Sequence, residues 1–151
     1  MRIALGSDEA TELTGALERE LRERGHEVAL FGVLGPQKDD AWPNVGRAVG
    51  EAVARGECDY GIVCCWTGTG VSIAANKVPG VRAALCADAQ TAAGARTWND
   101  ANVLALSLRA TAIPIAKAML DAWFSAAPTT DAKYAAMIRQ IQTGDFPVSK
   151  T

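Results

Sequence analysis

The chain has 151 residues, of which 49% are hydrophobic, with 15 basic and 17 acidic side chains and a formal net charge of -2. That length and apolar content suit one compact domain over residues 1–151, and interspersed acids and bases offer no basic field for a nucleic acid. No apolar run is long enough to span a membrane.

In chain order, Arg2 to Gly6 reads as an apolar strand that starts at once and leaves no room for a signal peptide. Glu9 to Arg24 has helical periodicity and ends at Gly25, and Glu27 to Phe31 is the next strand. Pro43 to Arg55 predicts a helix, Tyr60 to Cys65 a strand, and Gly70 to Asn76 a short helix. Arg82 to Ala87 and Asn102 to Leu106 are the last two strands, followed by helices over Ala89 to Thr97 and Ala112 to Phe124. Five strands, each followed by a helix, predict a parallel sheet covered on both faces. Right-handed crossovers make this a three-layer, Rossmann-like, doubly wound α/β fold. Asp131 to Gln142, capped by Thr130 or Asp131, is an extra C-terminal helix. Because five strands already close the core, that helix is expected to lie over a partner subunit. No repeat, low-complexity tract or linker interrupts the pattern.

Cysteine and histidine usage narrows the chemistry. Cys58, Cys64 and Cys65 crowd one strand, where neighbours point to opposite faces, so no disulfide framework forms. Reduced thiols in a cytoplasmic protein are expected. His26, the one histidine, sits in a helix-to-strand junction where a solvated role is the simplest reading. A histidine-rich zinc site cannot be built, and a Ser-His-Asp or Cys-His pair would have to recruit that junction residue.

In such sheets ligands collect outside the carboxyl ends of the strands. This rule selects Ser7 and Asp8, Trp66 to Ser72, Asp88, and Ser107 to Arg109. Trp98, Asn99 and Asp100 precede the fifth strand, so only tertiary structure can bring them near. Cys65 ends the third strand, and the Thr67-Gly68-Thr69-Gly70 turn opens backbone N–H groups toward an anion at the next helix. The same positive end favours a thiolate at Cys65, able to act as nucleophile or base. The competing reading makes Cys64 and Cys65 small core hydrophobes. The stretch "GTGVSI" begins like a dinucleotide fingerprint with Asp88 downstream, but its third glycine is missing, and no P-loop Gly-Lys-Ser/Thr follows.

"CWTGTGVSIAANKVPGVRAALC" followed by "ARTWNDANVLALSLR" resembles the ribose-5-phosphate isomerase B and galactose-6-phosphate isomerase family, as a divergent member. The resemblance implies a Rossmann-like, metal-free and cofactor-free sugar-phosphate isomerase, a homodimer or homotetramer with active sites shared between subunits. It gives Cys65 the role of the base that moves a proton between C1 and C2 of an aldose and its ketose through an enediolate. Thr67 matches the hydroxyl residue that assists on the substrate oxygens. The backbone of Gly68, Thr69, Gly70, Val71 and Ser72 is the expected cradle for the enediolate oxygen. Val71 stands where another branch of the family carries a glutamate. Asp8, Glu9, Trp66, Trp98, Asn99, Arg109 and Lys133 are the further substrate-binding positions.

The departures from the family concern substrate. Glu9 replaces a phosphate-binding histidine, and Trp98 replaces the histidine that opens the sugar ring. Lys133 and Met137 stand where two arginines contact phosphate, with Arg139 close by. Trp42 takes the place of a tyrosine. These changes lead to an expected aldose–ketose isomerase whose substrate is open-chain or unphosphorylated. A four-carbon sugar phosphate cannot close a ring through its blocked terminal oxygen, and a free sugar needs no arginine clamp. Two other readings are a non-catalytic sugar-binding subunit of a hetero-oligomeric isomerase and a nucleotide-binding domain.

Overall fold

The structure is a computed structural model, and it describes residues 1–146. The elements run β1 (Arg2–Ser7), α1 (Glu12–Glu23), β2 (Glu27–Gly32), α2 (Trp42–Ala54), β3 (Tyr60–Cys65), α3 (Thr69–Ala75), β4 (Ala83–Leu85), α4 (Ala89–Asn99), β5 (Val103–Ser107), α5 (Ile113–Ser125) and α6 (Ala132–Thr143). The five strands form one parallel sheet in the order β2-β1-β3-β5-β4. The chain runs outward from β1 to β2 and then resumes on the other side of β1 at β3. The strand order therefore reverses between β1 and β3, where such folds leave a crevice.

Period-two alternation divides the side chains between two faces. Ile3, Leu5, Ile62, Cys64, Leu104 and Leu106 point to one face, where buried residues of α1, α4 and α5 cover them. Ala4, Val63, Cys65, Val103 and Ala105 point to the other, against Val49, Val53, Val71 and Ala75 of α2 and α3. Each fully buried Leu, Ile or Val is worth roughly 1.5–3 kcal/mol over its exposed state, so both faces hold the sheet. The helix α2 crosses α3 closely because Gly46 has no side chain: a Cβ there would stand 2.7 Å from the Val71 carbonyl oxygen. This close crossing fixes the position of α3 below the end of β3.

The helix ends follow local chemistry, with a few shifts from the predicted bounds. The helix α1 begins at Glu12, three residues later than its periodicity implies. Thr11 caps it, and the Thr11 and Thr14 hydroxyls reciprocally accept from the Thr14 and Thr11 N–H groups at 3.3 and 2.9 Å. At its other end Gly25, with φ +80°, completes a Schellman closure in which the His26 N–H donates to the Leu21 carbonyl at 3.0 Å. The strand β4 is only Ala83–Leu85, shorter than the predicted six residues. It is an edge strand paired only with β5, so little backbone holds it extended. Cys58 lies in the turn ahead of β3 rather than in the strand, and all four cysteines are free and buried. Among the described residues no helix is long and apolar enough to cross a membrane.

Candidate active site

The carboxyl end of β3 sits at the strand-order reversal. In the parallel register Ser7 pairs with Cys64, so Asp8 and Cys65 follow as neighbours at the mouth of the crevice. Asp8, Trp42, Cys65, Trp66, Thr67, Thr69 and Gly70 line a cleft of about 310 Å³ there. A second hollow, of about 390 Å³, lies across the Thr67 turn and is lined by Thr67, Leu85, Cys86, Ala87, Ser107, Arg109, Ala110 and Thr111. Thr67 borders both, so the two hollows adjoin on either side of its turn, each in the range of small-ligand sites.

The loop from β3 to α3 is stitched down by backbone bonds. The Gly68 and Leu108 N–H groups donate to the Cys65 carbonyl at 3.2 and 3.0 Å, and the Arg109 N–H donates to the Trp66 carbonyl at 3.1 Å. The Ser107 hydroxyl also donates to the Trp66 carbonyl, at 2.9 Å. These bonds tie the ends of β3 and β5 together and hold Arg109 beside Thr67. Gly68 caps α3 with φ +76°, a left-handed conformation that a side chain resists. The Ser72 N–H donates to the Gly68 carbonyl at 3.3 Å, so the first-turn N–H groups of Thr69, Gly70 and Val71 have no helical acceptor. The Thr67 and Thr69 hydroxyls are 2.7 Å apart. The Trp42 ring lies against Gly70, whose added Cβ would be 2.9 Å from it, and this walls the cleft from the α2 side.

The four thiols stand in different surroundings. Burial pushes Cys64 far above the usual thiol range, and it pushes Cys86 up to about 11. Burial also raises Cys58. Cys65, 5% exposed, is the one thiol that lines the cleft with Asp8. The Asp8 carboxyl is held above its ordinary range, first by burial and then by the Glu9 and Asp40 carboxylates, with a backbone hydrogen bond opposing them. Its Oδ1 is buried and has no partner. A buried acceptor without a donor is costly, and this one belongs to a side chain that lines the cleft.

The predicted residues thus divide into two groups. Asp8, Cys65, Trp66, Thr67, Thr69 and Gly70 meet in one cleft, with Gly68 and Ser72 in the same turn and helix and Arg109 in the adjoining hollow. Glu9 follows Asp8 on the exposed surface. Val71 is fully buried against the Cys65 face of the sheet. Trp98, Asn99 and Lys133 are not brought there within one chain. The helix α4 starts after β4 and runs back to the amino ends of the strands, where Arg96 donates to the hydroxyl of Tyr60, the first residue of β3. A six-residue strand is roughly 16 Å long, so that end of the sheet is a full strand away from Cys65. The helix α6, carrying Lys133, Met137 and Arg139, packs on α4: Trp98 and Tyr134 have ring centroids 4.8 Å apart. His26 is at the same far end, its ring tilted 51° against Phe124 with centroids 4.7 Å apart. Cys86 also lines the Arg109 hollow, together with Thr111; the predicted strand ran on to Ala87 and enclosed it, and only the early end of β4 at Leu85 places it among the strand-end residues.

Among the described residues, no three His, Cys, Asp or Glu side chains cluster closely enough to hold a metal ion. A family model described as Ribose/Galactose Isomerase matches residues 3–141. Ribose-5-phosphate isomerase B of Escherichia coli K12 is 41% identical over 126 residues, covering 83% of this chain and 84% of that protein. D-erythrulose-4-phosphate isomerase of Pectobacterium atrosepticum is 35% identical over 127 residues, covering 83% of this chain and 84% of that protein. The solved structure of Clostridium thermocellum ribose-5-phosphate isomerase B matches with a TM-score of 0.87 at 41% identity, covering 95% of this chain and 96% of that one. With sequence and fold both matched over most of its length, the chain belongs to the ribose/galactose isomerase family.

Proposed function

We propose that the protein is an aldose–ketose isomerase of sugar phosphates in which Cys65 transfers the proton between C1 and C2. The observation that carries this reading is the placement of Cys65 in a cleft beside Asp8 and an unsatisfied helix end. As a thiolate, Cys65 takes the proton from the carbon next to the carbonyl, leaving an enediolate. The free N–H groups of Thr69 and Gly70, which line the cleft, receive the charge that develops on oxygen, while Val71 anchors the helix start in the core. Thr67, supported by Thr69, moves the hydroxyl proton between O1 and O2, and Cys65 returns its proton to the neighbouring carbon. Substrate and product are isomers, so no oxidant or cofactor enters the balance. Arg109 supplies positive charge for the phosphate in the adjoining hollow.

The site is completed by a second copy of the chain, which brings Trp98, Asn99 and Lys133 to the cleft. Exposed apolar side chains support this: Trp42, Trp66 and Ile73 on the cleft side and Trp98, Tyr134, Met137 and Ile141 on the α4–α6 side. The substrate is one that needs no ring opening. Neither the cleft nor the segment from Trp98 to Asp100 carries an imidazole, and the relatives include D-erythrulose-4-phosphate isomerases at 35% and 36% identity. A four-carbon sugar phosphate has no ring to open and is the substrate named for those relatives.

The test is isomerisation of tetrulose 4-phosphates, ribose 5-phosphate, allose 6-phosphate and free pentoses and hexoses by wild type and Cys65→Ala. Turnover of a tetrulose phosphate, lost in the variant, supports the reading. Ribose 5-phosphate turnover at ordinary enzymatic rates overturns the open-chain assignment. Absence of turnover with every sugar returns the chain to a non-catalytic binding subunit.

A further inference from the structure

The carboxyl end of α4 is held by a polar network far denser than closing a helix requires. Asp100 caps α4 in the left-handed region, with φ 45° and ψ 43°, a conformation unusual for a residue other than glycine. Its two carboxylate oxygens are taken by different arginines: Arg96 Nη1 donates to Oδ1 at 2.9 Å, and Arg82 Nη2 donates to Oδ2 at 3.0 Å. Arg82 Nε also donates to the Asp100 carbonyl at 2.7 Å. Arg96 is 4% exposed; it donates further to the Ala101 carbonyl at 2.7 Å and the Tyr60 hydroxyl at 2.9 Å, with its guanidinium 4.7 Å from the Tyr60 ring centroid. Asn102 continues the network, accepting from the Arg82 N–H at 2.8 Å and donating to the Gly80 carbonyl at 2.9 Å.

Burying an arginine is costly, and here its Nε is left without a partner. A glycine at position 100 would have met the backbone requirement without either cation. What the network does is fix the last turn of α4 to both β3 and β4. The two residues immediately ahead of the clamp, Trp98 and Asn99, are exposed. They are therefore held rigidly at the surface, with the Trp98 ring leaning on Tyr134.

We propose that Arg82, Asp100 and Arg96 are positioning residues that set Trp98 and Asn99 for the cleft of a second copy, an inference that rests on the shared-site reading above. The clamp makes no contact with Cys65 of its own chain. Its effect on catalysis is expected only across the subunit boundary, where small misplacement of a substrate-contacting group costs about tenfold to a hundredfold in rate.

A hybrid oligomer separates this from a merely structural role. One chain carries Cys65→Ala, the other carries Asn99→Ala, and the two are co-expressed with different tags and purified as the mixed species. The hybrid keeps one intact site, made of Cys65 from one chain and Asn99 from the other. Asp100→Gly, which keeps the left-handed backbone, is then placed in either chain. In the chain that supplies Asn99 it is expected to lower tetrulose-phosphate kcat/KM at least tenfold. In the chain that supplies Cys65 it is expected to leave activity unchanged. Equal effects in both positions, or none in either, overturn the clamp. A hybrid that is inactive before Asp100 is altered overturns the shared-site reading and the clamp with it. If Asp100→Gly lowers the melting temperature too far for assay, Asp100→Asn, which keeps one acceptor for Arg82, gives the same subunit-specific comparison with a smaller loss.

Discussion

Cys64 and Cys65 are adjacent in β3 and point to opposite sides of the sheet. Cys64 is wholly enclosed on the α1–α5 side and Cys65 opens into the cleft on the α2–α3 side. The pair is therefore an internal control for the thiol's role. Cys65→Ala is expected to lower kcat by about a hundredfold to ten-thousandfold, the usual range for losing a general base, with little change in melting temperature. Cys64→Ala is expected to cost on the order of 1 kcal/mol in stability, through a small cavity, and to leave kcat within a few-fold. Steady-state kinetics beside thermal melts of both variants check this. Equal kinetic losses would remove Cys65 from the mechanism.

Gly68 ties the fold to the site at one backbone position. A Cβ there would stand 2.6 Å from Leu85 Cδ1 and 2.8 Å from the Leu106 backbone carbon, and φ is already +76°. Leu85 can move aside, but the β5 backbone cannot. Gly68→Ala is expected to cost roughly 2–4 kcal/mol, combining left-handed strain of about 1–2 kcal/mol with displacement of the loop. Because the loop carries Thr67 and the free N–H groups of α3, kcat should fall further than the loss of folded protein explains. Denaturant titration and kcat normalised to folded protein separate the two effects.

The β–α alternation, the two-faced sheet and the strand-end cleft were legible in the sequence because each depends on local pattern. Period two in "RIALGS" and "YGIVCC" decides which side chains face which layer, and the glycine turn after Cys65 announces an open helix end. The start of α1 was not, because Thr11 and Thr14 form a capping box from two threonines, where the usual signal pairs Ser or Thr with Glu or Gln. The extent of β4 was also hidden, since an edge strand is limited by its one neighbour rather than by its own residues. Least legible was the separation of Trp98, Asn99 and Lys133 from Cys65. Motif residues close in sequence to a site can still be sent to the far end of the sheet by one helix. The Arg82–Asp100 and Arg96–Tyr60 contacts, 18 and 36 residues apart in sequence, leave no local signature.

Asp8 gives a pH signature. Its pKa in the folded protein is raised, first by burial, so the folded state holds the proton more readily than the unfolded chain. The stabilising contribution of that proton is complete below the unfolded carboxyl range and is lost as pH rises through the raised folded value. At neutral pH Asp8 is thus a destabilising carboxylate beside Glu9 and Asp40. Asp8→Asn is expected to raise the melting temperature at pH 7 by about 1–2 °C, a modest gain because the group is partly solvated. The gain should shrink as pH falls through the raised folded value and vanish only below the unfolded carboxyl range, about 3.9, where Asp8 is protonated in both states. Activity should fall in the same variant, as expected when a site residue is retained at the expense of stability. Melts of wild type and variant between pH 3.5 and pH 8 that run parallel would show that Asp8 carries no such penalty.

Trp98 tests the open-chain assignment directly. A ring-closed sugar phosphate reacts only after proton transfers at its ring oxygen and anomeric hydroxyl, and an indole performs neither at neutral pH. Wild type should therefore draw on the small fraction of ribose 5-phosphate that opens unaided, while a tetrulose phosphate, which has no ring, is unaffected. Trp98→His supplies an imidazole that titrates near neutrality. The ratio of kcat/KM for ribose 5-phosphate to that for the tetrulose phosphate is expected to rise by about a hundredfold, the lower end of general acid–base gains. Loss of the Trp98–Tyr134 contact should cost about 0.5–1.5 kcal/mol, visible as a small drop in melting temperature. The ratio is the reading that matters, because a general loosening of α6 would lower both rates together. An unchanged ratio would mean that position 98 does not govern ring opening, and the absence of an imidazole there would no longer support the open-chain assignment.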